Sequence, residues 1–211
     1  MGSQEKIVIG AVDIGGTKIA VGMVDDTGRV LSKLESPTDA QRGYSRGLER
    51  MIGMLRETAR VAGVEISGIG IGSTGLVNPI SGAFGDVDFL PGWQWKNPLE
   101  DLARAFQVSV ALENDADASA LGEASWGAGK GKSRLVYVTV GTGIGGGIIS
   151  GGQLVEGDRT GTGHVRILPG GGRPMDARSP GARNGAQSFW REKLGPEGGQ
   201  FARGRLSARR K

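Results

Sequence analysis

Twice in this chain an apolar strand runs into a glycine-rich turn and out into a second apolar strand. That plan constrains the fold more than any other feature. The first copy is residues 7–12, then Asp13-Ile14-Gly15-Gly16-Thr17-Lys18, then residues 19–24. The second is residues 135–140, then Gly141-Thr142-Gly143-Ile144-Gly145-Gly146-Gly147, then Ile148-Ile149. Glycines at such points let backbone N–H groups turn toward a phosphate with no Cβ in the way. Between the two turns, straight after the apolar residues 108–112, stands Glu113-Asn114-Asp115. Two phosphate cradles around a carboxylate point to transfer of a phosphoryl group from a nucleotide to a hydroxyl.

The rest of the chain supports a mixed sheet with helices on its faces. Asp25-Asp26-Thr27-Gly28 is a hairpin turn into a third strand at 30–34, so the first three strands form an antiparallel meander. Leu48, Met51, Ile52, Leu55, Ala59 and Ala62 recur at helical spacing, with Gly63 as the stop. Residues 66–71 read as a strand running into Gly72-Ser73-Thr74-Gly75, and residues 78–97 as loop. Asn97-Pro98-Leu99-Glu100 is a helix start, with Asn as cap and Pro at the first position, and that helix runs to Phe106. Residues 116–126 are a short Ala-rich helix. This order predicts an α/β domain of the ribonuclease-H-like kind, followed by the start of a similar unit, with residues 115–130 as the hinge region.

Composition changes abruptly after Glu156. Residues 1–157 hold 14 Lys+Arg against 18 Asp+Glu, and residues 158–211 hold 12 against 4. In the second stretch Leu, Ile, Val and Phe total 7 of 54 residues while Gly and Arg total 21, which predicts disorder, not a core. Cysteine is absent, which excludes disulfides and thiolate metal sites. No signal-peptide core opens the chain, and no apolar run approaches the roughly 18 residues of a membrane span. The expectation is a soluble cytoplasmic protein.

Each chemical reading has a plainer one beside it. Gly15, Gly16 and Thr17 would offer N–H groups to phosphate and Asp13 would hold Mg²⁺, or the hexapeptide is an ordinary hairpin turn. Gly141, Gly143 and Gly146 spell a G-x-G-x-x-G, but that fingerprint needs a helix after the glycines and a strand follows here. The reading kept is a phosphate-binding hairpin, with a flexible turn as the alternative. Asp115 could accept the proton of an attacking hydroxyl, while Asn114 or Asp115 could equally be the cap of the next helix, and both can hold at once. Trp93 and Trp95 could stack on a sugar or pin a loop to the core. His164, the only histidine, has no visible partners as a metal ligand.

Taken together, these motifs resemble the ROK family (repressor, open reading frame, kinase) of sugar kinases, within the actin/hexokinase fold. The resemblance rests on Asp13-Ile14-Gly15-Gly16-Thr17-Lys18, on Glu113-Asn114-Asp115-Ala116 with Ala120-Leu121-Gly122-Glu123 behind it, and on Gly141 to Gly147. It implies ATP and Mg²⁺ as cofactors and a hexose phosphorylated at O6, as in a glucokinase. Asp115 is then the base, and Asn114, Gly75 and His164 join it on the sugar side. Asp13, Gly15, Gly16, Thr17, Lys18, Gly141, Thr142, Gly143, Gly145 and Gly146 hold the nucleotide phosphates. It also allows a homodimer, and implies neither a specific nucleic acid nor a membrane as partner.

The resemblance divides the chain into a complete N-terminal sugar- and phosphate-binding domain (1–120), the start of an incomplete C-terminal nucleotide domain (121–174) and a basic Gly/Arg-rich tail (175–211). Gly161-Thr162-Gly163-His164 stands where the family carries Gly-Glu-x-Gly-His, and the family's zinc cysteines are missing, so no metal site is assigned there. The expectation is a chain truncated or frameshifted after about residue 174. A non-catalytic remnant is the alternative to a working kinase, with a sugar-responsive regulator a third reading.

Overall fold

In the computed structural model, which describes residues 7–87, 89–140 and 144–155, the predicted meander is present and its edge is extended by parallel strands. β1 (Val8–Ile14) pairs antiparallel with β2 (Lys18–Asp25), and β2 with β3 (Val30–Pro37). The hairpin turn is held by Asp25, whose Oδ1 accepts from the Thr27 and Arg29 amides. β4 (Gly68–Ser73) lies parallel to β1, and β7 (Ser109–Asn114) parallel to β4, giving the sheet order β3-β2-β1-β4-β7.

One face of this sheet is closed by α1 (Tyr44–Ala62) and α2 (Pro98–Phe106). Alternation along β1 sends Val8, Val12 and Ile14 into the core and leaves Ile9 and Asp13 on the other face. Met51, Met54, Leu55 and Ala59 of α1 meet them. Gly10 admits the helix: a Cβ there would lie 2.8 Å from Leu55 Cδ2. Each buried Ile, Leu or Met contributes about 1.5–3 kcal/mol relative to exposure. α1 ends at Gly63 in the left-handed region (φ 66°), whose N–H donates to Ala59 O and Arg60 O, as the sequence predicted. It begins at Tyr44, four residues before the apolar periodicity, with Gly43 before it and no side chain capping it.

α2 starts as expected, Asn97 Oδ1 accepting from the Glu100 amide at 3.0 Å. The stretch read as loop holds a small ribbon, β5 (Val77–Asn78) with β6 (Ala83–Phe84). It is anchored by Trp93, fully buried and edge-on to Tyr44 and Phe84 at ring distances of 5.3 and 5.8 Å. Tyr44 Oη donates to Asp101 Oδ2 at 2.7 Å and so ties α1 to α2. Trp95 is exposed. Of the two readings for the tryptophans, Trp93 serves as the pin.

α3 (Asp115–Ser125) crosses to the opposite face, where its first turn lies on Gly72 of β4. Beyond it β8 (Arg134–Val140), β9 (Ile144–Ser150) and β10 (Gln153–Leu154) form a three-stranded sheet in the order β10-β9-β8. β9 takes in Gly145, Gly146 and Gly147, which the sequence pattern places in the turn. Residues 138–140 and 144–146, the facing strand ends, belong to a second compact unit. The expected tail from residue 175 and His164 lie outside the described residues. No helix among the described residues is long and apolar enough to cross a membrane.

Candidate active site

Three parallel strands end together, and their register sets the site. Asp13 is level with Gly72 of β4, and Gly72 with Glu113 of β7; Ile14, Ser73 and Asn114 form the next row. Carboxyl ends of parallel strands are where α/β folds place ligands, because the chain leaves the sheet there and exposes backbone and loop groups.

Asn114 organises the departure of α3. Its Oδ1 accepts from the Ala116 amide at 2.9 Å, so it is the helix cap. Its Nδ2 donates to Ser73 O at 3.3 Å and to Gly75 O at 3.2 Å, tying the helix start to the end of β4. The side chain is 3% exposed. Both amide hydrogens are committed, which leaves one lone pair of Oδ1 for any further partner.

Asp115 is the first residue of α3, where the positive end of the helix dipole favours a carboxylate. Its Oδ1 accepts from the Ala116 amide at 2.8 Å, and its carbonyl accepts from Ser119 Oγ at 2.7 Å. It acts on Asp13 across the sheet edge. Desolvation against the neighbouring strands raises the Asp13 pKa first, the Asp115 charge raises it further, and Lys18 and Lys33 oppose both. Asp13 keeps contact with water, so its desolvation is incomplete. The pairing of two like charges is then the feature with chemical consequence.

The first glycine turn is braced from within. The Gly15 amide donates to Lys18 O at 2.9 Å. Thr38, buried just after β3, donates from Oγ1 to Gly15 O at 2.6 Å and from its amide to Thr17 O at 3.0 Å. Gly16 backs onto Phe89, whose Cβ would lie 2.9 Å from a Cβ added there. Lys18 Nζ pairs with Glu35 Oε2 at 2.9 Å, and Lys33 with Glu35 Oε1 at 2.6 Å. Hydrogen bonds from Lys33 and Lys18 bring the Glu35 pKa down to about 2. All three groups are exposed, so these pairs orient the lysines more than they stabilise the fold.

Asp13, Gly15, Gly16, Thr17, Lys18, Gly75, Asn114 and Asp115 therefore all lie at or beside this sheet edge. Gly141, Thr142 and Gly143 lie outside the described residues, and Gly145 and Gly146 stand on the strand end of the second unit. Two residues of this edge carry no chemical motif. Thr38 follows Ser36-Pro37, where a buried hydroxyl is hard to foresee. Asp117 is in the first turn of α3, buried, with no hydrogen-bond partner for Oδ1 among the described residues. Desolvation and then the charge of Asp115 raise its pKa. Three acids in five residues (Glu113, Asp115, Asp117) were the available signal.

The sequence profile of the ROK family matches residues 9–179. A glucokinase of Streptomyces coelicolor is 41% identical over 165 residues, which cover 76% of this chain and 50% of that protein. A glucokinase of Thermotoga maritima is 39% identical over 172 residues, covering 79% and 53%. Among solved structures, a ROK family glucokinase from Streptomyces griseus in complex with glucose and AMPPNP superposes with a TM-score of 0.65 at 32% identity, over 72% of this chain and 47% of that one. A ROK hexokinase from Thermus thermophilus gives 0.70 at 36% identity, over 87% and 64%. The chain thus shares the actin/hexokinase-like fold expected from its motifs, and it spans about half the length of the curated relatives it matches.

Proposed function

The chain belongs to the ROK family, and from that premise we propose that it phosphorylates a hexose at O6 with ATP, in the manner of a glucokinase. The observation that carries this reading is the juxtaposition of Asp115, at the first position of α3, with Asp13 and the glycine turn at the end of β1. The named activities of the relatives, glucokinases of Streptomyces coelicolor and Thermotoga maritima, support it.

In this reading the hexose hydroxyl gives its proton to the Asp115 carboxylate as its oxygen attacks the γ-phosphorus, and the bond to the ADP oxygen breaks. Phosphoryl transfer depends on positioning and charge neutralisation, so a carboxylate of ordinary basicity suffices. Asn114 takes a sugar hydroxyl on its remaining Oδ1 lone pair, with Gly75 beside it and His164 completing the sugar side. The Gly15 amide is committed to Lys18 O, so Gly16 and Thr17 supply the turn's N–H groups to the phosphates, with Lys18 alongside. Gly141, Thr142, Gly143, Gly145 and Gly146 form the second phosphate contact.

The donor set suits Mg²⁺. Asp13 and Asp115 are coupled at one edge, and no group of three or more His, Cys, Asp or Glu that could hold a metal exists among the described residues. Magnesium keeps several waters and takes one or two carboxylates plus substrate phosphates. Asp13 would hold it, and when bound it neutralises phosphate charge. A division into a sugar- and phosphate-binding part (1–120) and a nucleotide part (121–174), a cytoplasmic setting and a homodimer belong to the same proposal.

A coupled assay of ADP release by the full chain over several hexoses tests it. Saturable, hexose-dependent release that Asp115→Asn lowers by about 10²–10⁴-fold is expected. Absence of hexose-dependent release, or release indifferent to Asp115→Asn, contradicts the reading.

A further inference from the structure

The same edge carries an aromatic ring that no motif marks. Phe89 stands against the first glycine turn: a Cβ added at Gly16 would lie 2.9 Å from Phe89 Cβ and 3.6 Å from its Cγ. Two residues earlier, Val87 stands against the end of the β4 loop. A Cβ added at Gly75 would meet Val87 at Cγ1 and lie 3.1 Å from its Cβ. The Gly75 carbonyl is the one that accepts from Asn114 Nδ2 at 3.2 Å. A two-residue step spans at most about 7 Å. Within that reach the chain bridges the Asn114 side of the edge and the phosphate turn, with Phe89 at the phosphate end.

Its place is fixed while its ring is open. Val87, Leu90 and Trp93 are buried in the core. The Leu90 amide donates to Val87 O at 3.1 Å, and the Trp93 amide to Leu90 O at 3.1 Å. Phe89, among them, is 55% exposed. A lone apolar side chain on a surface is ordinary. This one is held by buried neighbours where an acceptor hydroxyl and a phosphate must meet, so little ordering is left to pay for when a ligand covers it. A phenyl ring has no hydrogen-bonding nitrogen or oxygen, so it fixes no water there. A hexose presents C–H groups on its faces and hydroxyls at its rim. It covers such a ring while its hydroxyls reach the polar groups beyond.

We propose that Phe89 is a substrate-contacting residue that selects the acceptor: its ring takes a C–H face of the hexose beside the attacking hydroxyl and denies that position to water. This rests on the reading of the edge as a hexose kinase site. Water is the competing acceptor in phosphoryl transfer. Attack by its oxygen on the γ-phosphorus breaks the bond to the ADP oxygen and yields inorganic phosphate and a proton in place of the sugar phosphate. An apolar ring at the junction disfavours that side reaction when the sugar site is empty and is covered by the sugar when it is full.

The test is NMR of the full chain carrying ring-¹³C phenylalanine, titrated with glucose, mannose and fructose in turn in the presence of ADP and Mg²⁺. The Phe89 signals are those absent from Phe89→Tyr. They should shift as one of the sugars saturates and show NOEs to its C–H protons. Phe89→Ala keeps the Cβ that packs on Gly16 and removes the ring, so it should raise the Kd of that sugar about 2–10-fold, while Phe89→Tyr should stay within about twofold. In turnover, Phe89→Ala should raise the share of ADP released without hexose. Sugar binding that leaves the Phe89 signals in place, or a Kd that Phe89→Ala does not change, overturns the proposal and leaves the kinase reading standing. No binding of any of the three sugars contradicts both. The wild-type ring signals decide alone if Phe89→Ala does not fold.

Discussion

The two glycine-turn ribbons share a plan and differ in their cover. In the first, Val8, Val12, Ile14, Ile19, Val21 and Met23 are all buried, most of them beneath the apolar face of α1. In the second, Ile149 is buried, but Val136 is 57% and Ile148 38% exposed. Apolar alternation and a glycine turn make a ribbon in either place. What makes a core is a helix with a matching apolar face, and among the described residues the first ribbon has one, at the period-3.6 stretch ending in Gly63. A strand–turn–strand pattern thus specifies local structure, and its neighbours specify burial.

The largest expected effect falls at the edge of the well-covered ribbon. Asp115→Asn should lower hexose-dependent kcat by about 10²–10⁴-fold. It should leave the far-ultraviolet circular dichroism unchanged, because Asn114 Oδ1 still accepts from the Ala116 amide in the variant. Next is the loop pin: Trp93→Ala should cost about 3–5 kcal/mol in urea unfolding. A smaller cost would mean that β5, β6 and their loop are held by something other than the Tyr44–Phe84–Trp93 cluster. The direct contrast of the ribbons is smaller still. Ile14→Val should cost about 0.5–1.5 kcal/mol, and the exposed Ile148→Val should stay within about 0.5 kcal/mol. Equal costs would break the comparison.

The smallest effect is a pH dependence. Asp13 has a raised pKa in the folded chain, so its contribution is fully present below the unfolded value of 3.8 and is lost as pH rises through the folded value. Asp13→Asn should therefore melt slightly higher than the wild type at pH 7 and no higher at pH 3. A gain at pH 3 equal to that at pH 7 would show that charge is not the cause.

Much of this edge was legible because its signals are local. Gly63, Asn97 and Asp25-Asp26-Thr27-Gly28 each act through backbone groups within four residues, and Asn114 caps α3 as one of the two readings had it. Asp13, Asn114 and Asp115 could be singled out because each closes or follows an apolar strand. What stayed hidden depends on partners distant in sequence. α1 begins at Tyr44 because that ring is needed against Trp93 and Asp101, not because a cap announces it. Gly147 reads as turn, yet it is strand because Asp117 and Ala120 fill the space of its missing Cβ. Gly15, read as a phosphate donor, spends its amide closing its own turn on Lys18. Thr38 carries no motif and only burial reveals it, while Asp117 is marked by nothing more than the run of acids Glu113, Asp115 and Asp117.

The central claim is that backbone amides of the first turn grip the nucleotide's phosphates beside Asp115, and amide NMR of the full chain titrated with a non-hydrolysable ATP analogue and Mg²⁺ tests it most directly. The Gly16 and Thr17 amide resonances should move furthest in that turn, while Gly15, already bonded to Lys18 O, moves least. Saturable binding that shifts resonances elsewhere and leaves Gly16 and Thr17 in place would contradict it.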